Sequence, residues 1–216
     1  MFKVLDCFCG LGGTSEGFLA EGFTVHGIEI NPEIAKLCYD NLNAKYLGKI
    51  TVQVADMLTL KGSDFKGYDV IWGSPPCRDF SQIGVLYGKK WKDKPNPENG
   101  IATIRSFLQF VKDAQPTYWI LENVALLKKY FKDLEPRTEG YITLGKRHVF
   151  YGNYPLFLMP RDMRIKTRKL NAYGRDEPSH DGKLRSWIAA RIPLACSRAF
   201  ARACKEALEE HAVNLL

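Results

Sequence analysis

The residue of this chain best suited to covalent chemistry is a cysteine at the end of a proline pair, Ser74-Pro75-Pro76-Cys77. Each proline fixes φ and removes a backbone donor, so the stem is stiff and presents the next side chain at a set position. With Arg78 adjacent, a thiol held there is favoured as its thiolate, the nucleophilic form. The same residues also suit an inert, half-buried thiol in a rigid loop. Glu122, in Glu122-Asn123-Val124, is the second candidate. It follows the apolar run Trp119-Ile120-Leu121, so its carboxyl is expected to be desolvated and held toward its protonated form, as an acid serving a substrate ring requires. A capping or ion-paired glutamate fits that position equally well.

A second group of residues suggests a bound cofactor. Gly10, Gly12 and Gly13 follow the first apolar run, where a glycine turn lets the backbone approach a ligand closely. Glu29 ends the next apolar run and can accept hydrogen bonds from ribose hydroxyls. The third glycine of the dinucleotide fingerprint falls at Ser15, so a pyrophosphate is disfavoured and an adenosine cofactor without phosphate fits better. Asp56 can bond an adenine amino group, or be a solvated loop aspartate. A glycine-rich turn with no ligand is the alternative for the first segment.

These residues need elements that bring them together. Residues 2 to 6, 24 to 30, 50 to 54, 68 to 73 and 117 to 121 read as strands. Helices are expected from about Thr14 to Glu21, from Asn31-Pro32 (cap and first turn) to about Leu42, and along the face Ile101, Ile104, Phe107, Leu108, Val111, stopped by Gln115-Pro116. A short strand is expected over 145 to 152. A last helix, capped by Ser197, carries Ala199, Phe200, Ala203, Cys204, Ala207 and Leu208 at helical spacing. Alternating strand and helix predicts an α/β fold with a doubly wound, mostly parallel sheet, and every candidate residue then falls at the carboxyl edge of a strand, where such sheets bind ligands.

The chain's 216 residues suit one domain, 1–216, and no linker divides it. Its 31 Lys and Arg against 24 Asp and Glu give +7, a balance that favours an anionic partner such as nucleic acid. No run approaches the roughly 20 apolar residues of a membrane span, and no signal peptide is visible. The cysteines at 7, 9, 38, 77, 196 and 204 are too irregular for a disulfide framework, so a reduced, cytoplasmic protein is expected. Cys7 and Cys9 lack a matching second pair and read as packed thiols; no metal is expected.

Five segments taken together, Asp6-Cys7-Phe8-Cys9-Gly10-Leu11-Gly12-Gly13, Gly27-Ile28-Glu29, Ala55-Asp56-Met57, Gly73-Ser74-Pro75-Pro76-Cys77 and Leu121-Glu122-Asn123-Val124, closely resemble the ordered motifs of the DNA cytosine-5 methyltransferases. The resemblance covers residues 2 to 125 and continues at Arg147 to Asn153 and in the last helix. It implies a Rossmann-like S-adenosylmethionine-dependent methyltransferase fold, double-stranded DNA as partner, and methylation of cytosine carbon 5, as in restriction-modification enzymes. Cys77 would attack cytosine carbon 6 and Glu122 would support ring nitrogen 3, on a base flipped out of the helix. The resemblance also implies cofactor contacts from Phe8, Cys9, Gly10, Leu11 and Gly12 around the methionine part, Glu29 at the ribose, Ile30 beside adenine, Asp56 and Met57 at its edge, and Pro75 nearby. Asn123 would order the loop that holds the cysteine.

Three features differ from the family pattern. Its eighth motif, Gln-x-Arg-x-Arg, is replaced by Leu144, Lys146 and His148, with Arg147 out of register. The end motif reads Ala190-Arg191-Ile192-Pro193 rather than Asn-Ser-Val-Pro. The recognition segment, about 153 to 187, is short. It carries eight basic residues (Arg161, Arg164, Lys166, Arg168, Lys169, Arg175, Lys183 and Arg185) against four acidic ones, a composition that reads phosphate more readily than sequence. Arg78, Ser81, Lys89, Lys90 and Trp91 are expected to close over DNA, and Lys146, Arg147 and His148 to touch it. A tRNA cytosine-5 methyltransferase sharing these motifs, and a cofactor- or DNA-binding protein without turnover, are the alternatives.

Overall fold

The computed structural model describes residues 1–80, 95–143, 146–157, 184, 187 and 190–214. Seven strands form one sheet: β1 (Lys3–Asp6), β2 (Thr24–Glu29), β3 (Ile50–Val54), β4 (Val70–Gly73), β5 (Tyr118–Val124), β6 (Thr138–Thr143) and β7 (Lys146–Asn153), in the order β3-β2-β1-β4-β5-β7-β6. The first five strands pair in parallel. The last two form an antiparallel hairpin added to β5. The order reverses between β1 and β4, which makes the carboxyl edge of those two strands the topological switch point of a doubly wound sheet.

Side chains alternate across the sheet with period two. Val4, Val70, Trp72, Ile120 and Phe150 join one apolar cluster, while Leu5, Ile71, Leu121, Val149 and Tyr151 join the other. The first cluster is covered by α1 (Gly13–Ala20), α2 (Pro32–Asn43) and α5 (Leu194–Val213). The second is covered by α3 (Pro97–Ala114) and the single turn α4 (Leu127–Tyr130). Local signals set the boundaries. Asn31 Oδ1 accepts from Glu33 N and Ile34 N with Pro32 at the first turn, and Asn96 caps α3 in the same way before Pro97. α3 ends on Gln115 in the left-handed region, φ 56°, just before Pro116.

Two expectations are corrected. Ser197 does not cap the last helix, which starts at Leu194 after Pro193. Its hydroxyl is wholly buried and donates to Gly13 O at 3.0 Å, so it joins α5 to α1 instead. The strand expected over 145 to 152 is the second arm of a hairpin whose first arm, β6, was not foreseen. The polar, glycine-containing sequence Thr-Glu-Gly-Tyr-Ile-Thr gives no alternation to read, and the pairing is irregular between Tyr141 and Thr143.

Among the described residues, no helix is long and apolar enough to cross a membrane.

Candidate active site

The glycine turn after β1 is held from below and from the side. Gly10 and Gly12 have φ of 50° and 78°, a region that glycine enters without strain. A Cβ on Gly12 would lie 2.5 Å from Leu42 Cδ1 and 2.9 Å from Cys38 Sγ, so the turn is seated directly on α2. Glu29, buried at the end of β2, accepts Gly10 N at 3.1 Å and Asn31 N at 2.8 Å. One carboxylate therefore fixes both the glycine turn and the start of α2. Burial pushes its pKa up, against the pull of those backbone donors.

Ile30, next along, is 62% exposed, a large apolar side chain left open beside Glu29 at the sheet edge. Asp56 follows β3 and accepts Leu58 N at 3.0 Å, starting the 3-10 turn Met57–Thr59. Phe8 is half-buried, its ring 6.3 Å from that of Phe107, and Leu11 is half-buried in the turn itself. The structure separates two of the expected cofactor residues from this edge by side chain. Cys9 packs its thiol against Gly27 and Cys38, and Met57 is buried in the second apolar cluster. At both positions it is the backbone that belongs to the edge.

Asp6, the last residue of β1, is wholly buried and accepts the Ser15 hydroxyl at 2.7 Å. Ser15 thus fills the place where a dinucleotide fold would have its third glycine. Among the described residues, the other Asp6 oxygen finds no hydrogen-bond partner. Burial raises its pKa from 3.8 to about 6, outweighing the Ser15 bond. The folded state therefore holds a proton that the unfolded chain releases, so stability falls as pH climbs from about 4 through 6 and then levels off. That rise in pKa corresponds to about 3 kcal/mol at neutral pH. In Asp6→Asn, the loss of stability between pH 4 and pH 7, measured by urea unfolding, is expected to shrink by a sizeable part of that amount.

The cysteine stem leaves β4 next to β5. Trp72 Nε1 donates to Ser74 Oγ at 2.7 Å, and Asn123 Nδ2, buried on β5, donates to Pro75 O at 3.1 Å. Cys77 opens the 3-10 turn Cys77–Phe80 and is half-buried. That turn is clamped to α3: Asp79 Oδ1 accepts Asn96 N at 3.1 Å, and a Cβ on Gly100 would lie 2.5 Å from the Phe80 ring. Arg78 extends its side chain outward, 62% exposed. Glu122, one residue before Asn123, is 6% exposed, and its Oε1 lies 2.5 Å from Nδ1 of His148, itself 8% exposed. Strands β4 and β5 thus deliver the thiol and the carboxyl to one edge, tied together by the Asn123 bond.

Of Lys146 and Arg147 only the backbone, in β7, is described. Ser81, Lys89, Lys90, Trp91 and most of the basic segment 153 to 187 lie outside the described residues.

Sequence reasoning missed two residues near this edge. Trp187 lies over the glycine turn, its ring 3.5 Å from where a Cβ on Gly10 would stand. Arg191 in the end motif pairs with buried Glu16 of α1 at 3.1 Å, beside Lys45 at 2.8 Å. Both depend on the last segment folding back on the first, which local patterning does not encode. A tryptophan just before a helix that must pack somewhere was the only hint.

Comparison with known proteins gives a consistent result. Residues 2–137 match the family described as C-5 cytosine-specific DNA methylase. A type II methyltransferase of Haemophilus parahaemolyticus, M1.HphI, is 32% identical over 125 residues, 57% of this chain and 32% of that protein. M.NlaX of Neisseria lactamica, also a type II methyltransferase, is 27% identical over 186 residues, 84% of this chain and 54% of that one. The chain thus spans between a third and about half of these relatives. Among solved structures, magnesium protoporphyrin IX methyltransferase from Synechocystis PCC 6803 with bound SAM superposes with a TM-score of 0.48 at 16% identity, over 68% of this chain and 67% of that one. The family match covers the glycine turn, Glu29, Asp56, the cysteine stem and Glu122 in one stretch: the chain belongs to the C-5 cytosine-specific DNA methylases.

Proposed function

We propose that this protein transfers a methyl group from S-adenosylmethionine to carbon 5 of cytosine in double-stranded DNA, with Cys77 as covalent nucleophile and Glu122 as the acid at ring nitrogen 3. The observation that carries this reading is the bond from Asn123 to the Pro75 carbonyl, which ties the Glu122 strand to the Cys77 stem at the switch point.

The residues at the edge suit the cofactor. Gly10, Leu11 and Gly12 would take the methionine part against Phe8, Glu29 the ribose, and Ile30 one face of adenine, with Asp56 and the Met57 backbone at its rim and Pro75 nearby. An exposed isoleucine beside a buried carboxylate fits a flat apolar ring next to a diol. When bound, S-adenosylmethionine supplies an electrophilic methyl group to carbon 5. Ile30→Ala is expected to weaken S-adenosylmethionine binding about tenfold, from the apolar area lost. Calorimetric titration would read this with little effect on folding, since Ile30 is mostly exposed.

An aromatic carbon is a poor nucleophile. Addition of the Cys77 thiolate at carbon 6 turns the ring into an enamine-like species, with Glu122 giving a proton to nitrogen 3. After methylation, loss of the carbon 5 proton lets the thiolate leave and restores the ring. The target must leave the base stack to reach a site at the sheet edge. We assign Arg78, Ser81, Lys89, Lys90 and Trp91 to closing over the duplex, and Lys146, Arg147 and the basic residues of 153 to 187 to phosphate contacts, all within one catalytic unit spanning 1–216.

The test is incorporation of labelled methyl from S-adenosylmethionine into plasmid DNA and tRNA in parallel, followed by bisulfite sequencing of the DNA. Label in duplex DNA at cytosine is the expected result. Label in tRNA alone, or retention of DNA with no transfer to either, would overturn the reading.

A further inference from the structure

Glu122 is held by a titratable partner. In the antiparallel pairing of β5 with β7, Glu122 faces Phe150 and Val124 faces His148, so Glu122 and His148 are diagonal neighbours on one face of the hairpin junction. Nδ1 and Oε1 are 2.5 Å apart and both side chains are buried. Two lone pairs cannot approach that closely away from water, so a proton lies between them. A guanidinium in this position would be permanently charged, whereas an imidazole exchanges its proton near neutrality.

The geometry points to His148 as the positioning residue of the Glu122 acid, its Nδ1–H held on Oε1 while the pair carries one further, dissociable proton that cytosine nitrogen 3 takes; this rests on the cytosine methylation reading above. In the competent form His148 Nδ1–H donates to Oε1, which turns Oε2, carrying the acid proton, toward the substrate. As the Sγ–C6 bond forms, the Oε2 proton passes to nitrogen 3, and the carboxylate left behind keeps its Nδ1–H donor. On elimination the carbon 5 proton leaves to solvent, its electron pair forms the C5–C6 double bond as the Sγ–C6 bond breaks, and nitrogen 3 returns its proton to Oε2, so the pair ends as it began. Raising the pH strips that one proton from the pair as a unit, so transfer falls on the alkaline side.

Among the described residues, three other titratable groups near the pair were candidates for that limb, and none of them gives it. Cys196 from α5 feels Glu122, but burial pushes its thiol far up and keeps it neutral. Cys77 on the neighbouring turn would raise activity with pH, the opposite direction. Glu139 of β6 pairs across from Val149, on the other face, and is bonded to Lys128.

The experiment is the pH profile of single-turnover methyl transfer in the unsubstituted protein and in His148→Gln, joined to an NMR titration of the His148 ring in the unsubstituted protein and in Glu122→Gln. Glutamine keeps a donor for Oε1 but cannot store the proton. The alkaline limb of His148→Gln is expected to move by about one pH unit toward acid, and the His148 titration to shift when Glu122 loses its charge. A uniformly slower His148→Gln with the limb in place, or a ring that titrates identically in both proteins, would overturn the inference. Absence of transfer by the unsubstituted protein would strike the parent reading instead, and the ring titration would still decide whether the pair shares its proton.

Discussion

Cys77→Ala is expected to slow methyl transfer by about 10⁴-fold or more, the scale on which enzymes lose activity when a covalent nucleophile is removed. The other cysteines, at 7, 9, 38, 196 and 204, are all buried, so none of them stands in for it. Under the proposed mechanism Glu122 polarises the ring, but carbon 5 stays a poor nucleophile until something adds at carbon 6. The substitution removes one sulfur from a half-buried position, so unfolding free energy should change by about 1 kcal/mol or less. The clean measurement pairs single-turnover transfer with a denaturing gel of the protein incubated with 5-fluorocytosine duplex and S-adenosylmethionine. The unsubstituted chain should give a band that survives denaturation, because fluorine at carbon 5 blocks the elimination. A comparable band from Cys77→Ala, or a rate within tenfold of normal, would show that the covalent step runs elsewhere.

Gly17→Ala is expected to destabilise the fold by about 3 kcal/mol, where helix propensity alone predicts a gain of about 1 kcal/mol. The two effects oppose each other and the steric one wins. A Cβ at position 17 would stand 2.3 Å from Ser197 Oγ, 2.4 Å from Ser197 Cβ and 2.5 Å from the Ser197 carbonyl carbon. Backbone cannot swing aside as the end of a side chain can, so α5 has to lift from α1. That breaks the Ser197 bond to Gly13 and loosens Phe200 from Trp72 and Phe150, whose ring centroids lie 5.0 and 4.8 Å from its own. Urea unfolding gives the magnitude. A stability equal to or above that of the unsubstituted protein would mean that the α1–α5 contact is looser than described.

What could be read from the sequence was local. The five parallel strands carried apolar runs with turn residues at their ends, and Asn31-Pro32 and Gln115-Pro116 each placed a helix boundary by mechanism. The edge residues were legible because each followed directly on a strand, where chain direction alone fixes which end of the sheet it occupies. What was not legible depended on register or on distant packing. The contact of His148 with Glu122 requires knowing that Val124 lies opposite His148, and nothing within either strand states that. Ser197 looked like a cap because serine before a helical run usually is one; its partner, Gly13, is 184 positions away. Cys9 lay within a cofactor motif, yet its side chain turned to the core because Gly27 left room for it there.

The joining of α5 to α1 through Ser197 and Gly13, with Arg191 on Glu16, means that the pocket edge is anchored by the two extremities of the fold. The chain leaves this frame after Phe157 and is held by it again at Trp187 and Arg191, so the segment between is closed at both ends by the frame itself. Doubling the length of such an insert adds only about 0.6 kcal/mol of closure entropy, so its content can be exchanged with little penalty to the frame. On the proposed function, with that segment meeting the target, selectivity is free to drift there while competence for chemistry stays fixed in the scaffold.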